Sequence, residues 1–132
     1  MEEKIKVIIV DDEERFCRTV SKILERRNLS VRYVLTGGEA LEEFAKNPYD
    51  VVLLDLKMPI ISGAETLKRI KESGYKAEVI IITGYPSIDT AVEVMTLGAY
   101  DYLLKPCDTE DLTTKISLAY ECKLVKEKRQ PK

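Results

Sequence analysis

The chain has 132 residues, 21 basic and 23 acidic, for a formal net charge of −2, with 45% apolar and 33% charged side chains. That is the length of one domain and the mix of a chain with a real core, which excludes disorder throughout. Histidine is absent, which excludes His-ligated zinc, Ser-His or Cys-His nucleophile pairs and a phosphohistidine on this chain, and leaves carboxylates, hydroxyls, lysine and cysteine to do any chemistry.

Residues 4 to 10 read Lys-Ile-Lys-Val-Ile-Ile-Val and stop at Asp11-Asp12, the pattern of a buried strand reaching a surface loop. Phe16, Val20, Ile23, Leu24 and Arg27 then recur at helical spacing and predict a first helix with a basic last turn. A second strand covers Val31 to Leu35, and a second helix Gly38 to Lys46 with Ala40, Leu41, Phe44 and Ala45 inward, ended by Asn47-Pro48-Tyr49-Asp50. Val51 to Leu54 is the third strand. Gly63 to Glu72 is the third helix, with Ser62 placed to cap it and Gly74 just beyond. The fourth strand is Val79 to Ile82, and the fourth helix starts near Ser87 and stops at Gly98 with Ile88, Ala91, Val92 and Met95 in a stripe. The stripe, Ile88, Ala91 and Met95 above all, reads as core, whereas Val94 and Leu97 read as surplus apolar surface. Tyr102 to Leu104 is a short fifth strand, and a fifth helix begins after Asp108 with Leu112, Ile116 and Ala119 inward.

Five alternations of strand and helix with short connections predict an α/β fold, an open parallel sheet covered on both faces, with flavodoxin-like doubly wound strand order 2-1-3-4-5. The division expected is one domain over residues 1–122 and a basic helix extension or linker over 123–132. That last segment carries five basic residues and one acidic, which leaves the body at −6. It lacks the aromatic interleaving of a nucleic-acid reader, so no nucleic-acid contact is expected. A second stripe on the fifth helix, Leu118, Cys122 and Val125, is compatible with core packing or with a helix running on into a partner. Cys17, Cys107 and Cys122 show no C-x-x-C spacing and read as reduced thiols. No apolar run is long enough for a membrane span, and Met1 to Lys6 carries alternating charges instead of a secretory core, so a cytoplasmic chain is expected.

In such a sheet, ligands bind beyond the carboxyl ends of the strands where the order reverses. Strand one ends in Asp11-Asp12, strand three in Asp55 and strand four in Thr83, while strand five leads into Lys105-Pro106. Gathered carboxylates repel by roughly 4 kcal/mol per pair at about 4 Å and an effective dielectric near 20. An all-oxygen, water-accessible set of this kind suits Mg²⁺, with Mn²⁺ as substitute. Asp55 closes the most apolar run and sits on the central strand, which makes it the nucleophile candidate for forming an aspartyl phosphate. Lys105 would neutralise transferred oxygens and Thr83 would donate a hydroxyl hydrogen bond. There is no G-x-x-x-x-G-K-[ST] loop and no G-x-G-x-x-G turn.

The blocks Val10-Asp11-Asp12-Glu13, Val52 to Pro59 with Gly63, Ile82-Thr83-Gly84 and Gly98 to Pro106 together resemble the receiver (CheY-like) domain of two-component response regulators, over about residues 4–122. The stretch Asp89 to Met95 is similar to receivers of the sigma-54 activator (NtrC-like) type. The resemblance implies that Asp55 accepts a phosphoryl group from a sensor histidine kinase. It implies that Asp11, Asp12, Asp55 and the backbone carbonyl of Lys57 hold Mg²⁺, that Thr83 and Tyr102 are switch residues, and that Lys105-Pro106 is a cis bond. Phosphorylation would then bias the surface of the fourth helix, fifth strand and fifth helix toward a homodimer or an output domain in transcription regulation. Lys57 and Tyr85 occupy positions that influence phosphoryl lifetime in that family, and Tyr85 is expected to shield the acyl phosphate. Such a chain is no enzyme toward external substrates. A phosphatase would need a substrate lid, and an unphosphorylated binding module would be expected to lack part of the site; neither feature is present.

Overall fold

The computed structural model describes residues 4–129, so the first three residues of the charged N-terminus and the last three of the basic tail lie outside the described residues. The strands are β1 (Lys6–Val10), β2 (Ser30–Val34), β3 (Val51–Leu54), β4 (Glu78–Thr83) and β5 (Asp101–Leu104). The helices are α1 (Glu14–Arg26), α2 (Gly37–Lys46), α3 (Gly63–Glu72), α4 (Ile88–Thr96) and α5 (Thr109–Arg129). All pairings are parallel, in the order β2-β1-β3-β4-β5, as the alternating pattern predicts.

Successive side chains of a strand point to opposite faces, and the central strands carry unbroken apolar runs, Val7 to Val10, Val51 to Leu54 and Val79 to Ile82, because both faces are covered. Val7, Ile9, Val51, Leu53, Ile80 and Ile82 pack with Cys17, Val20 and Leu24 of α1 and with Leu112, Ile116 and Ala119 of α5. Their neighbours Ile8, Val10, Val52, Leu54, Val79 and Ile81 pack with Ala40, Leu67, Ile70 and Val94 of α2, α3 and α4. Helices α2, α3 and α4 start where short hydroxyl side chains meet their N-termini: Thr36, Ser62 and Ser87 accept from the N–H groups of Glu39, Glu65 and Thr90. Gly74 and Gly98, at φ +77° and +105°, close α3 and α4 in a conformation that glycine tolerates best.

Two packing expectations need correction, and one left open is decided. On α4 the sole buried residue is Val94, with Leu97 partly buried against the same core, whereas Ile88, Val92 and Met95 are 83%, 61% and 44% exposed. The apolar stripe is therefore the outer face, because α4 lies over the sheet edge and touches the core along one narrow line. Ala45 of α2 also faces solvent, since Ala40 with half-buried Leu41 and Phe44 already fills the contact. On α5, Leu118 and Val125 are exposed and Cys122 is half-buried, so that stripe is not core.

β4 starts one residue earlier than the apolar run, at Glu78, which pairs with Val51 and is buried. Its carboxylate is matched by the Lys126 amine at 2.8 Å, and Lys123 reaches Asp50 at 3.2 Å. α5 is one helix through residue 129, tied back to the lower edge of the sheet by these two lysines.

Candidate functional site

Parallel register decides what meets at the upper edge of the sheet. Val10 pairs with Leu54, so the next residues, Asp11 and Asp55, emerge side by side, and the Asp55 N–H donates to the Val10 carbonyl at 2.9 Å. One step on, Asp12 is exposed at the rim. Carboxylate oxygens of Asp11, Asp12 and Asp55 all lie within 4.8 Å of one another. Thr83 pairs with Leu104, and the Lys105 N–H donates to the Thr83 carbonyl at 2.8 Å, which sets Thr83 and Lys105 at adjacent strand exits. The Lys105-Pro106 bond is cis.

The Lys105 amine binds Asp11 Oδ2 and Glu13 Oε1, both at 2.7 Å, and lies 4.3 Å from the centre of the Phe16 ring. Burial alone would lower the pKa of Lys105, but its bonds to Asp11 and Glu13 and the charge of Asp55 outweigh that and leave it raised. Asp11 is almost fully buried, and its second oxygen accepts the Glu13 N–H at 2.9 Å. Burial raises its pKa above the usual carboxylate range despite Lys105. Asp55 is pushed up to about 6, first by burial and next by the neighbouring charge of Asp11, with Asp12 adding to the rise and Lys105 opposing it. One ammonium thus compensates the pocket only partly. The donor set is all oxygen and closely spaced, and it retains uncompensated negative charge, so these three residues fit a hard divalent cation.

Gly63 fixes the loop that carries Asp55 into α3: a Cβ there would overlap the Asp55 carbonyl oxygen and the Leu56 Cα, and the Gly63 N–H donates to the Leu56 carbonyl at 2.9 Å. Lys57, three residues past the end of β3, and Tyr85, two past the end of β4, meet above this edge with the Lys57 amine 4.1 Å from the centre of the ring. The Thr83 hydroxyl is buried and accepts the Tyr85 N–H at 3.0 Å. Tyr102 is half-buried; its hydroxyl accepts the Ser87 N–H at 3.3 Å and shares a 3.2 Å hydrogen bond with Thr90 of α4.

Three contributors escaped the sequence reading. Glu13 completes the Lys105 clamp, and its signal was the third acid in Asp11-Asp12-Glu13. Phe16, read as core, does pack against it and also forms the wall beside Lys105. Cys17 donates its thiol to the Asp11 carbonyl at 3.4 Å, and burial raises its pKa to about 12, so it supports the loop as an inert thiol.

The family described as response regulator receiver domain matches residues 7–117. The chain belongs to the response regulator receiver family. It is 38% identical over 117 residues to the transcriptional regulatory protein ZraR of Klebsiella oxytoca, covering 89% of this chain and 26% of that protein. The receiver therefore spans about a quarter of that relative's length. A response regulator receiver domain from Clostridium thermocellum superposes with TM-score 0.86 at 34% identity, over 92% of this chain and 98% of that one. A Burkholderia pseudomallei response regulator, described with a phosphorylated aspartic acid, a calcium ion and citrate, superposes with TM-score 0.80 at 29% identity, over 98% and 76% of the two chains. These likenesses agree with the flavodoxin-like order of the sheet.

The raised pKa of Asp55 makes a prediction for the metal-free receiver. Its folded pKa near 6 lies above an unfolded value of about 4, so protonation stabilises the fold fully below pH ~4 and this contribution is lost as pH rises through ~6. Asp55→Asn is therefore expected to stabilise the receiver by about 2 kcal/mol at pH 7 with chelator present, the difference fading to nothing near pH 4. Denaturant unfolding across this range checks it, and a difference independent of pH would contradict the assigned strain.

Proposed function

We propose that this receiver is a phosphorylation switch in which Asp55 accepts a phosphoryl group from the phosphohistidine of a sensor histidine kinase. The observation that carries the reading is the convergence of Asp11, Asp12 and Asp55 within 4.8 Å with the Lys105 amine bound to Asp11 at the same edge. Asp11, Asp12, Asp55 and the Lys57 backbone carbonyl would hold Mg²⁺, or Mn²⁺ in its place, which when bound offsets charge on the phosphoryl oxygens.

An Asp55 carboxylate oxygen attacks phosphorus as the P–N bond to the histidine breaks, giving an acyl phosphate on Asp55 and a free imidazole on the kinase. Positioning contributes most: β3 is buried on both faces and holds Asp55 still. Lys105 supplies a fixed positive charge, and Thr83 supplies a hydroxyl for a phosphoryl oxygen. The product carries up to about two negative charges where one stood. Thr83 turning toward it releases its bond from Tyr85 and draws on the segment leading to Ser87, where Tyr102 is bonded. The outcome is a shift of α4 against β5 and α5. The receiver then acts on its own aspartate alone, as a cytoplasmic component whose output is transcription regulation through a further domain or protein. The basic segment 123–132 would be a helix extension or linker toward it. No described helix is long and apolar enough to cross a membrane.

With Mg²⁺ and acetyl phosphate, the wild-type chain is expected to gain one base-labile phosphoryl group, and Asp55→Asn or excess chelator to abolish it. Intact-mass measurement decides, and labelling that survives in Asp55→Asn overturns the assignment. Repeated turnover of an external phosphoester would favour a phosphatase.

The Lys57 amine lies over the Tyr85 ring beyond the exits of β3 and β4, and the pair would cover the acyl phosphate. Tyr85→Ala is expected to shorten the half-life of the acyl phosphate severalfold by admitting water, and an unchanged rate of phosphate release would refute this role.

The exposed Ile88, Val92 and Met95 of α4, with Leu104 at the end of β5 and Leu118 on α5, offer an apolar face to a second copy. Sizing with a phosphoryl mimic such as beryllofluoride is expected to show a dimer that Val92→Asp weakens at least tenfold. A monomer under both conditions would exclude this face as the dimer contact.

A further inference from the structure

The lower edge of the sheet, at the opposite ends of the strands from Asp55, holds a second charged recess. Its volume is about 200 Å³, and it opens between the segment leading into β4 and the last turns of α5. Lys71, Tyr75, Ala77, Glu78, Lys123 and Lys126 are among its walls. The acids around it are already taken. Buried Glu78 is held by Lys126 at 2.8 Å and Glu127 by Lys123 at 2.7 Å, while Lys123 also reaches Asp50 at 3.2 Å.

Lys71 is left without a counter-charge. It is half-buried, and its amine makes no ion pair or hydrogen bond among the described residues. A surface lysine ordinarily lays its stem on apolar surface and carries the amine out to water. Here the stem crosses the end of α4: a Cβ placed on Gly98 would stand 3.3 Å from Lys71 Cε and 3.6 Å from its Cδ. Burial pushes the pKa of the amine down and the charge of Lys126 adds to the fall, while Glu78 opposes it. A second donor at this wall is also unused. Ala77 is buried, and its backbone N–H has no acceptor among the described residues. Donors withdrawn from water without an acceptor are costly, and a charged one most of all. One anion in the recess would serve both and would separate the like charges of Lys71 and Lys126.

We infer that this recess binds a phosphate group, as the free ion or on a small phosphomonoester, between the amines of Lys71 and Lys126 with the Ala77 N–H as a third donor. Lysine holds phosphate as a point charge, without the fixed fork that arginine brings. A phosphate has oxygens enough for three donors, whereas a carboxylate has two. The site is independent of Asp55, and a bound anion would join Lys71 of α3, lying along Gly98, to Lys126 of α5.

The test titrates the isotope-labelled whole chain with inorganic phosphate, with no metal added and ionic strength held constant by sodium chloride. Amide resonances of Ala77, Glu78 and Gly98 are expected to shift and to saturate with a Kd of about 1–10 mM. Lys71→Met, which keeps an unbranched stem against Gly98 and removes the charge, is expected to weaken binding at least fivefold, and Arg18→Gln on the far helix α1 to leave it unchanged. Acetate is expected to bind at least fivefold more weakly than phosphate. Glycerol 3-phosphate binding more tightly than phosphate would assign the remaining space to an organic stem, and equal binding would assign the site to the free ion. A second measurement needs no variant: phosphate is expected to slow acylation of Lys71 by an activated ester at least fivefold while leaving Lys22 unaffected, read by peptide mass. Shifts that fail to saturate by about 100 mM overturn the inference. So do equal affinity in Lys71→Met, equal binding of acetate, unprotected Lys71, or shifts confined to Thr83 and Lys105, which would assign the anion to the upper edge.

Discussion

Like charge held together against its own repulsion is the constraint from which the rest of this structure follows. The carboxylates of Asp11, Asp12 and Asp55 stand within 4.8 Å because β1 and β3 pair in parallel with Val10 opposite Leu54. Two such charges about 4 Å apart repel by roughly 4 kcal/mol at an effective dielectric near 20. The strands cannot yield, since Val7 to Val10 and Val51 to Leu54 are buried and packed on both faces. The strain appears instead as a carboxylate titrating near 6 and as a lysine clamped onto Asp11 and Glu13. A pocket under that tension is suited to take in positive charge and an electrophile.

The same sheet anchors the helices on its two sides unequally. α1 sets four residues into the core, whereas α4 sets in Val94 alone and keeps its apolar stripe outside. Few buried contacts leave an element with a low free energy of displacement. α4 is also the helix whose first turn is bonded to Tyr102, and it follows Thr83 by five residues. Rigid anchoring on the β1–β3 side and light anchoring at the β5 edge are what the proposed switch would use to turn a local change of charge into a change of surface. On the other flank, the inert thiol of Cys17 and the ring of Phe16 brace the acidic loop from which α1 starts.

The sequence by itself determined the layout. Apolar runs ending in Asp11-Asp12, Asp55 and Thr83, separated by stripes of helical period, state a parallel sheet and place the reactive groups at one edge, because strand polarity follows from chain order. Short-range chemistry was legible too: Ser62 caps the helix it precedes, α4 starts at Ser87, and Gly74 and Gly98 end α3 and α4. What only the tertiary structure decided is which side of an amphipathic element faces inward when both sides carry apolar residues. Helical period gives α4 one stripe through Ile88, Val92 and Met95, yet the contact with the sheet runs through Val94 and Leu97. Periodicity records spacing around a helix and not the position of the neighbour it packs on. The partners of Lys105 were hidden for a related reason: Glu13 lies 92 residues away along the chain and meets it through the fold of the sheet alone.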